Sequence, residues 1–206
     1  MESSPREISA FLYVGAGSRL FAQATVVYAG DDTEAASKAL SPFTRLPDVA
    51  GARAELVPYP SVPLTSGAPH VGQQTAVMHT ALVTHLHDDL SAKIAIALAL
   101  GGVQMMQIRS VGGAINDLPS VATAYAHRHQ NFSVTAVAER AGAAFDTAWA
   151  PLRARRDGMY LSFESNHLAD DIEAAFPPAT LTRLRDIKRQ WDPQDVFSQN
   201  FDVARM

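Results

Sequence analysis

The sequence contains no cysteine among its 206 residues. Disulfide bonds, thiolate zinc sites and cysteine nucleophiles are therefore excluded. Neither sign of charge dominates, because 17 basic and 21 acidic residues give a formal net charge of −4. The chain thus lacks the broad basic field that favours nucleic acid or an anionic membrane. The longest apolar run, residues 94–103, is too short to span a bilayer.

The first residues lack a cationic start followed by a long apolar core, so no signal peptide is predicted. With the absence of cysteine, this favours a cytoplasmic protein, although a chain without cysteine is also compatible with export. The rest of the composition is ordinary for a globular protein, with 47% hydrophobic and 18% charged residues. The length suits a single domain, residues 1–206, with a substantial core.

Segments rich in β-branched and aromatic residues alternate with segments of helical periodicity. Strands are predicted over residues 7–16, 20–30, 103–110, 120–128, 132–139 and 158–165. Helices are predicted after a cap at Asp31 or Asp32, and over residues 73–100 (broken near 88–91), 143–156 and 180–191. Strands with antiparallel-type neighbours and helices grouped between them predict an α+β fold, with an antiparallel sheet flanked by helices.

Two short motifs are similar to ligand-binding motifs, but the predicted secondary structure around them does not support a ligand site. GAGSRL, residues 15–20, has two of the three glycines of a dinucleotide-binding loop, yet it precedes a predicted strand instead of a helix. HLHDD, residues 85–89, offers potential metal ligands, but His85 and His87 would point apart on a helix. Since two ligands on one helix do not make a site, no metal is predicted.

The C-terminal stretch RLRDIKRQWDPQDVFSQNF, residues 183–201, indicates a basic helix that stops at Asp192-Pro193. Proline cannot continue a helix and disfavours helical geometry in the residue before it. Phe197 is expected to anchor the following tail to the core, and the Asn200 amide can bind backbone or a ligand. A purely structural clasp explains the same pattern.

This stretch resembles the C-terminal signature of the berberine-bridge-enzyme-like FAD-linked oxidases. Three upstream stretches, at residues 30–35, 112–128 and 158–163, resemble further motifs of that family, in the family's order. The matching residues of the last two stretches are Gly112, Gly113, Ala114, Thr123, Ala124, Tyr125, Arg128, Gly158, Tyr160 and Phe163. The combined match covers roughly residues 8–203.

The resemblance implies the substrate-binding domain of such an oxidase, with the family's N-terminal FAD-binding domain lacking from this sequence. FAD is the implied cofactor, and the chain alone is not expected to retain it. Two departures bear on the flavin contacts. Ser162 stands where the family has asparagine, and Asp202 stands at the position of a second asparagine.

The candidate site residues follow mainly from the same resemblance. Tyr160 is expected to take the substrate proton while the flavin accepts the hydride, and Arg128, Ser162 and Asn200 are expected to contact the flavin. Glu164 is added as a second catalytic candidate from geometry alone, because side chains two residues apart share one face of a strand. A buried tyrosine on a polar strand, and a surface salt bridge at Arg128, are the plainer explanations. His127 and His129 are expected to be solvated.

Two functions remain open from the sequence, besides a degenerate remnant without activity, with which Ser162 and the lacking FAD-binding domain are compatible. The first is the substrate-binding half of an FAD-dependent oxidoreductase, which would transfer a hydride from an alcohol or similar C–H substrate and depend on an FAD-binding-domain partner. The second is a non-catalytic module that binds a small ligand or forms a homodimer through an exposed sheet face. Neither nucleic acid nor a membrane is expected as a partner, and the small-molecule substrate is not identified.

Overall fold

The computed structural model describes residues 1–65, 76–166 and 168–204. The strands are β1 (Ile8–Ala16), β2 (Leu20–Tyr28), β3 (Val77–Val83), β4 (Met105–Ser110) and β5 (Phe132–Ala138). The helices are α1 (Thr33–Thr44), α2 (Asp88–Ala99), α3 (Ala143–Arg153), α4 (Ala169–Ala175) and α5 (Pro178–Trp191). Short 3₁₀ helices cover Tyr59–Thr65, Gly113–Asp117 and Leu161–Phe163.

The five strands form one antiparallel sheet in the order β2-β1-β4-β5-β3. The chain therefore has the predicted α+β fold. The predicted hairpin is confirmed, with GAGS at the turn between β1 and β2. The predicted cap of α1 is Asp32, whose carboxylate accepts hydrogen bonds from the backbone N–H groups of Glu34 and Ala35 at 3.0 Å each.

The main core lies between one face of the sheet and helices α2 and α3. The pairings Leu12↔Ile108 and Ile108↔Val134 place apolar side chains of three adjacent strands on this face, which we call the helix face. From α3, which corresponds to the helix predicted over residues 143–156, a stripe at helical spacing is buried against it: Phe145, Ala148, Trp149 and Leu152. Full burial of a large apolar side chain stabilises a fold by about 1.5–3 kcal/mol, so this layer fixes how the strands align.

The segment predicted as one helix over residues 73–100 is divided between two elements. Residues 73–75 lie outside the described residues, β3 occupies Val77–Val83, and only α2 is helical. All seven residues of β3 pair with β5, from Val77↔Ala138 to Val83↔Phe132. This pairing with a distant strand outweighs the local helical composition, as is common for strand propensity.

Two predicted strands are absent from the described part of the chain. Residues 120–128 form a loop after the 3₁₀ helix Gly113–Asp117. Residues 158–165 attach to β3 only at their ends, through the Leu82 N–H to Gly158 O bond (2.8 Å) and the Ser165 N–H to Met78 O bond (2.9 Å). Between these attachments the chain bulges into the 3₁₀ helix Leu161–Phe163.

The C-terminal helix and its tail differ from the prediction at the start of the helix and in the tail. Helix α5 begins at Pro178, two residues before the predicted start at Thr180, because proline at the first position has a helical φ and needs no N–H partner. The stop before Asp192-Pro193 is confirmed. The expected anchor is wrong, since Phe197 is 84% exposed. Instead, the Asp192 carboxylate accepts the N–H groups of Val196 (2.8 Å) and Phe197 (3.0 Å).

Across the described residues, none of the helices combines the length and the apolar character needed to cross a membrane.

Candidate functional site

The second face of the sheet, opposite the helix face, is largely polar. Alternation along β1 and β4 places Phe11, Tyr13, Gln107 and Arg109 on this side, which we call the open face. Their side chains form a relay in which the Arg109 Nε–H donates to Gln107 Oε1 at 2.7 Å and Gln107 Nε2 donates to the Tyr13 hydroxyl at 2.7 Å. Arg109 is thereby fixed on the sheet.

The bulge at Leu161–Phe163 covers part of the open face. The Arg109 guanidinium lies over the Phe163 ring, 4.1 Å from its centroid, and 5.7 Å from the centroid of Phe11. Such contacts between a cation and an aromatic face contribute about 0.5–2 kcal/mol. They hold the guanidinium between two rings on the uncovered side of the sheet.

Three aromatic rings extend from Arg109 to Arg128. The Phe163 and Tyr160 centroids lie 5.8 Å apart, and the Tyr160 and Tyr125 centroids lie 5.9 Å apart, both edge to face. The Arg128 guanidinium then lies 5.1 Å from the Tyr125 centroid. The structure thus brings two of the predicted residues, Tyr160 and Arg128, into one cluster through Tyr125.

Arg128 is buried and is not a surface salt bridge. It is 7% exposed, Nη1 donates to Ile115 O at 2.7 Å, and Nη2 donates to Thr123 Oγ1 at 2.8 Å. Its buried Nε has no hydrogen-bond partner in the described part of the chain. A buried donor without a partner costs about 1–3 kcal/mol, so the site carries an unsatisfied donor beside its aromatic rings.

The charges of Arg109 and Arg128 are not compensated by an ion pair with any described residue. Burial lowers the pKa of the Arg109 guanidinium, although the nearby Tyr13 and Tyr160 phenols counteract this effect. Burial also raises the pKa of the Tyr125 phenol, which the Arg128 charge opposes. The open face is therefore a partly desolvated, positively charged surface.

The predicted shared face of Tyr160, Ser162 and Glu164 does not exist, because the 3₁₀ bulge interrupts the strand periodicity. Tyr160 is 40% exposed and joins the aromatic cluster, whereas Ser162 is exposed outside it. Glu164 is buried. Its carboxylate accepts the N–H groups of Thr80 (3.1 Å) and Asn166 (3.0 Å), and it lies 2.8 Å from His79 Nδ1.

His79 lies on the helix face and links Glu164 to α3. Its ring stacks on Phe145 at a centroid distance of 4.4 Å, and its Nε2 lies 3.1 Å from Asp146 Oδ1. Burial alone would lower the His79 pKa, but hydrogen bonds and charges from Glu164 and Asp146 outweigh this effect, so the pKa is raised. The Glu164 carboxylate thus serves a buried ion pair with His79.

Asn200 lies in the C-terminal tail, and its contacts are local. Its side-chain oxygen accepts the Phe201 N–H at 2.8 Å. Within residues 1–65, 76–166 and 168–204, no hydrogen bond or ring contact joins Asn200 or Ser162 to the arginines of the open face. The structure therefore does not bring these two predicted flavin contacts into the Arg128–Tyr160 cluster.

Two histidines differ from the prediction: His127 in its burial, and His85 because it lies outside a helix. His127 is buried, not solvated, and its Nε2 lies 3.0 Å from Ala175 O, whereas His129 is exposed as predicted. Burial lowers the His127 pKa, opposed by the backbone carbonyls of Ala175 and Ala174. His85 precedes α2 and lies 2.7 Å from Glu2 through Nδ1. No group of three metal-ligating His, Asp or Glu side chains occurs among the described residues.

Sequence reasoning missed Arg109, Gln107 and Tyr13. The signal was present in MMQIRS of β4, where apolar Met106 and Ile108 alternate with Gln107 and Arg109. This period-two pattern predicts one apolar and one polar face. It does not show which strand lies beside β4, and that neighbour, β1, completes the relay.

No protein-family profile matches the chain, and no curated protein matches it. Its fold is nevertheless found in solved structures of oxidases and oxidoreductases. BBE-like 1 of Physcomitrella patens superposes with a TM-score of 0.77 and 21% identity, over 99% of this chain and 49% of its own. At this identity the likeness shows the fold alone.

Two other structures give the same result. 6-Hydroxy-D-nicotine oxidase from Arthrobacter nicotinovorans has a TM-score of 0.73 and 17% identity, over 96% of this chain and 48% of its own. A chitooligosaccharide oxidase has a TM-score of 0.69 and 17% identity, over 93% of this chain and 47% of its own. The chain thus spans about half the length of the solved structures it matches, and its fold is similar to one half of each of these proteins.

Proposed function

We propose that this chain is the substrate-binding half of an FAD-dependent oxidoreductase that oxidises an alcohol or similar C–H substrate. One observation carries the proposal, namely that nearly the whole chain superposes on about half of proteins named as oxidases or an oxidoreductase. The other half of the catalytic unit is an FAD-binding-domain partner. The resemblance of the sequence motifs to the berberine-bridge-enzyme-like family supports the same assignment.

The residues of the open face fit the ring portion of a flavin. Arg109, Tyr13 and the unsatisfied Nε of Arg128 supply donors for the carbonyl oxygens and ring nitrogens of a flavin, and Tyr160 supplies an aromatic surface. The GAGS segment does not fit the phosphate portion, because it is a hairpin turn and opens no helix. This division supports a chain that covers the ring but depends on a partner for the rest of the cofactor.

The proposed roles of the chain's own residues concern protons and positioning. A flavin, when bound, supplies the hydride acceptor. Tyr160, partly exposed in the aromatic cluster, is the proposed group that receives the substrate hydroxyl proton. Arg128, Ser162 and Asn200 remain proposed cofactor contacts, and Arg128 has the geometry that favours this most. Glu164 remains a second catalytic candidate, although its buried pair with His79 favours a positioning role.

The absorption spectrum of the purified chain tests the proposal. We expect a colourless protein, and we expect the flavin spectrum to appear in a stable complex once a cognate FAD-binding domain is added. Substitution Arg128→Gln should weaken this complex, whereas Arg19→Gln at the exposed hairpin turn should not. A chain that purifies yellow, with bound flavin and no partner, would contradict the need for a second domain.

The alternative is a homodimerisation or small-ligand module, and one observation favours it. Three large apolar side chains of helix α5 and the tail are exposed to solvent: Ile187 (43%), Trp191 (78%) and Phe197 (84%). Beside them, Val121, Ala124 and Leu184 line part of a groove of about 170 Å³. Exposed apolar surfaces of this kind mark interaction sites. A strict dimer without flavin affinity would favour this function.

A further inference from the structure

We propose that the open face binds a carboxylate, with Arg109 as the residue that holds it, and that the substrate therefore carries a carboxylate on a flat apolar body. The identification of this ligand as the substrate rests on the proposed function. The binding of a carboxylate at Arg109 is independent of that function. The terminal nitrogens of Arg109 have unused hydrogen-bond donors. Its Nε donates to Gln107, and no described residue binds either terminal nitrogen.

The contacts of the guanidinium leave these nitrogens available. Its Cζ atom lies 4.1 Å from the Phe163 centroid, and only Nε is hydrogen-bonded to a described residue. Relay bonds from Gln107 and Tyr13 fix the side chain from the sheet side. A fixed, planar pair of N–H donors matches the two oxygens of a carboxylate, and such bidentate pairs are stronger than neutral hydrogen bonds.

The charge of the site favours one carboxylate over a phosphate. Both terminal nitrogens of Arg128 donate to Ile115 O and Thr123 Oγ1, and its side chain is buried, so this second cation offers no accessible second fork. One accessible fork suits a single carboxylate. The Tyr13 oxygen already accepts from Gln107, and the phenol has no acceptor among the described residues, so its hydrogen is free for the ligand.

The aromatic rings define the rest of the ligand. Phe163 and Phe11 flank Arg109, and Tyr160 (40% exposed) and Phe11 (39% exposed) offer accessible aromatic surface in the same cluster. Tyr160 packs edge to face on Phe163, with centroids 5.8 Å apart, and Phe163 lies against Arg109, so the proposed proton acceptor is one ring away from the carboxylate site. A ligand held by its carboxylate at Arg109 would therefore place its flat body against Tyr160.

Benzoate is a suitable probe, with benzamide as a neutral molecule of the same shape. Titration of the full chain, followed by NMR, should show binding of benzoate, shifts at Arg109 and Phe163, and binding of benzamide at least about tenfold weaker. Arg109→Gln should weaken benzoate binding by about ten- to a hundredfold, the equivalent of one charge-assisted hydrogen bond or two. Arg19→Gln should leave it unchanged.

Other outcomes overturn the proposal. If Arg109→Gln does not fold, Arg109→Lys keeps the charge and loses the fork, and a folded Lys variant that binds benzoate as tightly as the natural chain contradicts the site. Equal affinity for benzoate and benzamide does the same. Binding of reduced riboflavin but not of benzoate would assign the fork to the flavin ring. Failure of the partner to deliver flavin leaves the benzoate result intact, so the two proposals fail separately.

Discussion

The His79 Nδ1 atom lies 2.8 Å from the Glu164 carboxylate, and both side chains are buried. This contact joins the edge strand β3 to the end of the bulge that carries Tyr160 and Phe163. On its other side, the His79 ring stacks on Phe145 of α3. One buried pair therefore connects the main core to the segment that shapes the open face.

Stability should depend on pH through His79. Its pKa is raised in the folded chain, because the hydrogen bonds and charges of Glu164 and Asp146 outweigh the lowering effect of burial. The stabilisation is complete below the unfolded pKa of about 6.5 and is lost as pH rises through the folded pKa. His127, whose pKa is lowered, contributes with the opposite sign, so the test is the difference in free energy of unfolding between the natural chain and a His79→Gln variant, which should fall as pH rises from about 6.5. His79→Gln should remove this component, and His129→Gln at an exposed histidine should retain it.

Substitution Glu164→Gln separates a positioning role from a catalytic one. The change leaves the buried His79 without its closest charge partner, and breaking a buried pair costs about 3–5 kcal/mol. Asp146 remains near His79, so we expect the low end, about 3 kcal/mol, in the free energy of unfolding. Glu173→Gln on the exposed side of α4 is the matched control. A Glu164→Gln variant of unchanged stability would return Glu164 to the role of catalytic base.

Local patterns predicted the elements whose partners are close in sequence. The β1–β2 hairpin, the Asp32 cap and the buried stripe of α3 all follow from turn chemistry or periodicity within about a dozen residues. Strand β3 was missed because its helical composition is overruled by pairing with β5, some fifty residues further along the chain. The bulge at Leu161–Phe163 was missed because it depends on contacts with β3 and β4.

The candidate site was predicted in part. Resemblance singled out Tyr160 and Arg128, which the fold brings together through Tyr125. Arg109 was not found, because its significance depends on strand order. Only the neighbouring positions of β1 and β4 place Gln107 and Tyr13 beside one another and leave the guanidinium edge free. Sheet registers of this kind are not encoded in any single segment.

Substitution Gly158→Ala should disturb the start of the bulge. A Cβ at this position would lie 2.3 Å from the His127 ring, which is itself buried against α4. Since overpacking costs about 1–3 kcal/mol, we expect a loss of that size in denaturant unfolding. We also expect weaker benzoate binding, because the bulge carries Phe163. Gly51→Ala is the control, since a Cβ there meets no atom within 4 Å. Equal stability of the two variants would argue against the tight contact.

The exposed apolar surface of α5 and the tail should control self-association. Trp191 and Phe197 are 78% and 84% exposed, while the Lys188 ammonium holds the tail in place by donating to Phe197 O at 2.9 Å. The double substitution Trp191→Ala with Phe197→Ser removes this surface without touching the core. Sedimentation velocity at rising concentration should show less association than in the natural chain.

The matched control is Leu100→Ser, which removes an exposed apolar side chain, 67% exposed, at the end of α2. If the control reduces association as much as the double variant, the effect comes from general hydrophobicity and not from this surface.

Addition of the FAD-binding domain then distinguishes the two functions. If the partner domain disperses the association and the double variant no longer binds it, the surface belongs to the interface between halves. If a dimer persists unchanged beside the partner domain, the homodimerisation module is the better account, because one surface cannot be buried in both complexes at once.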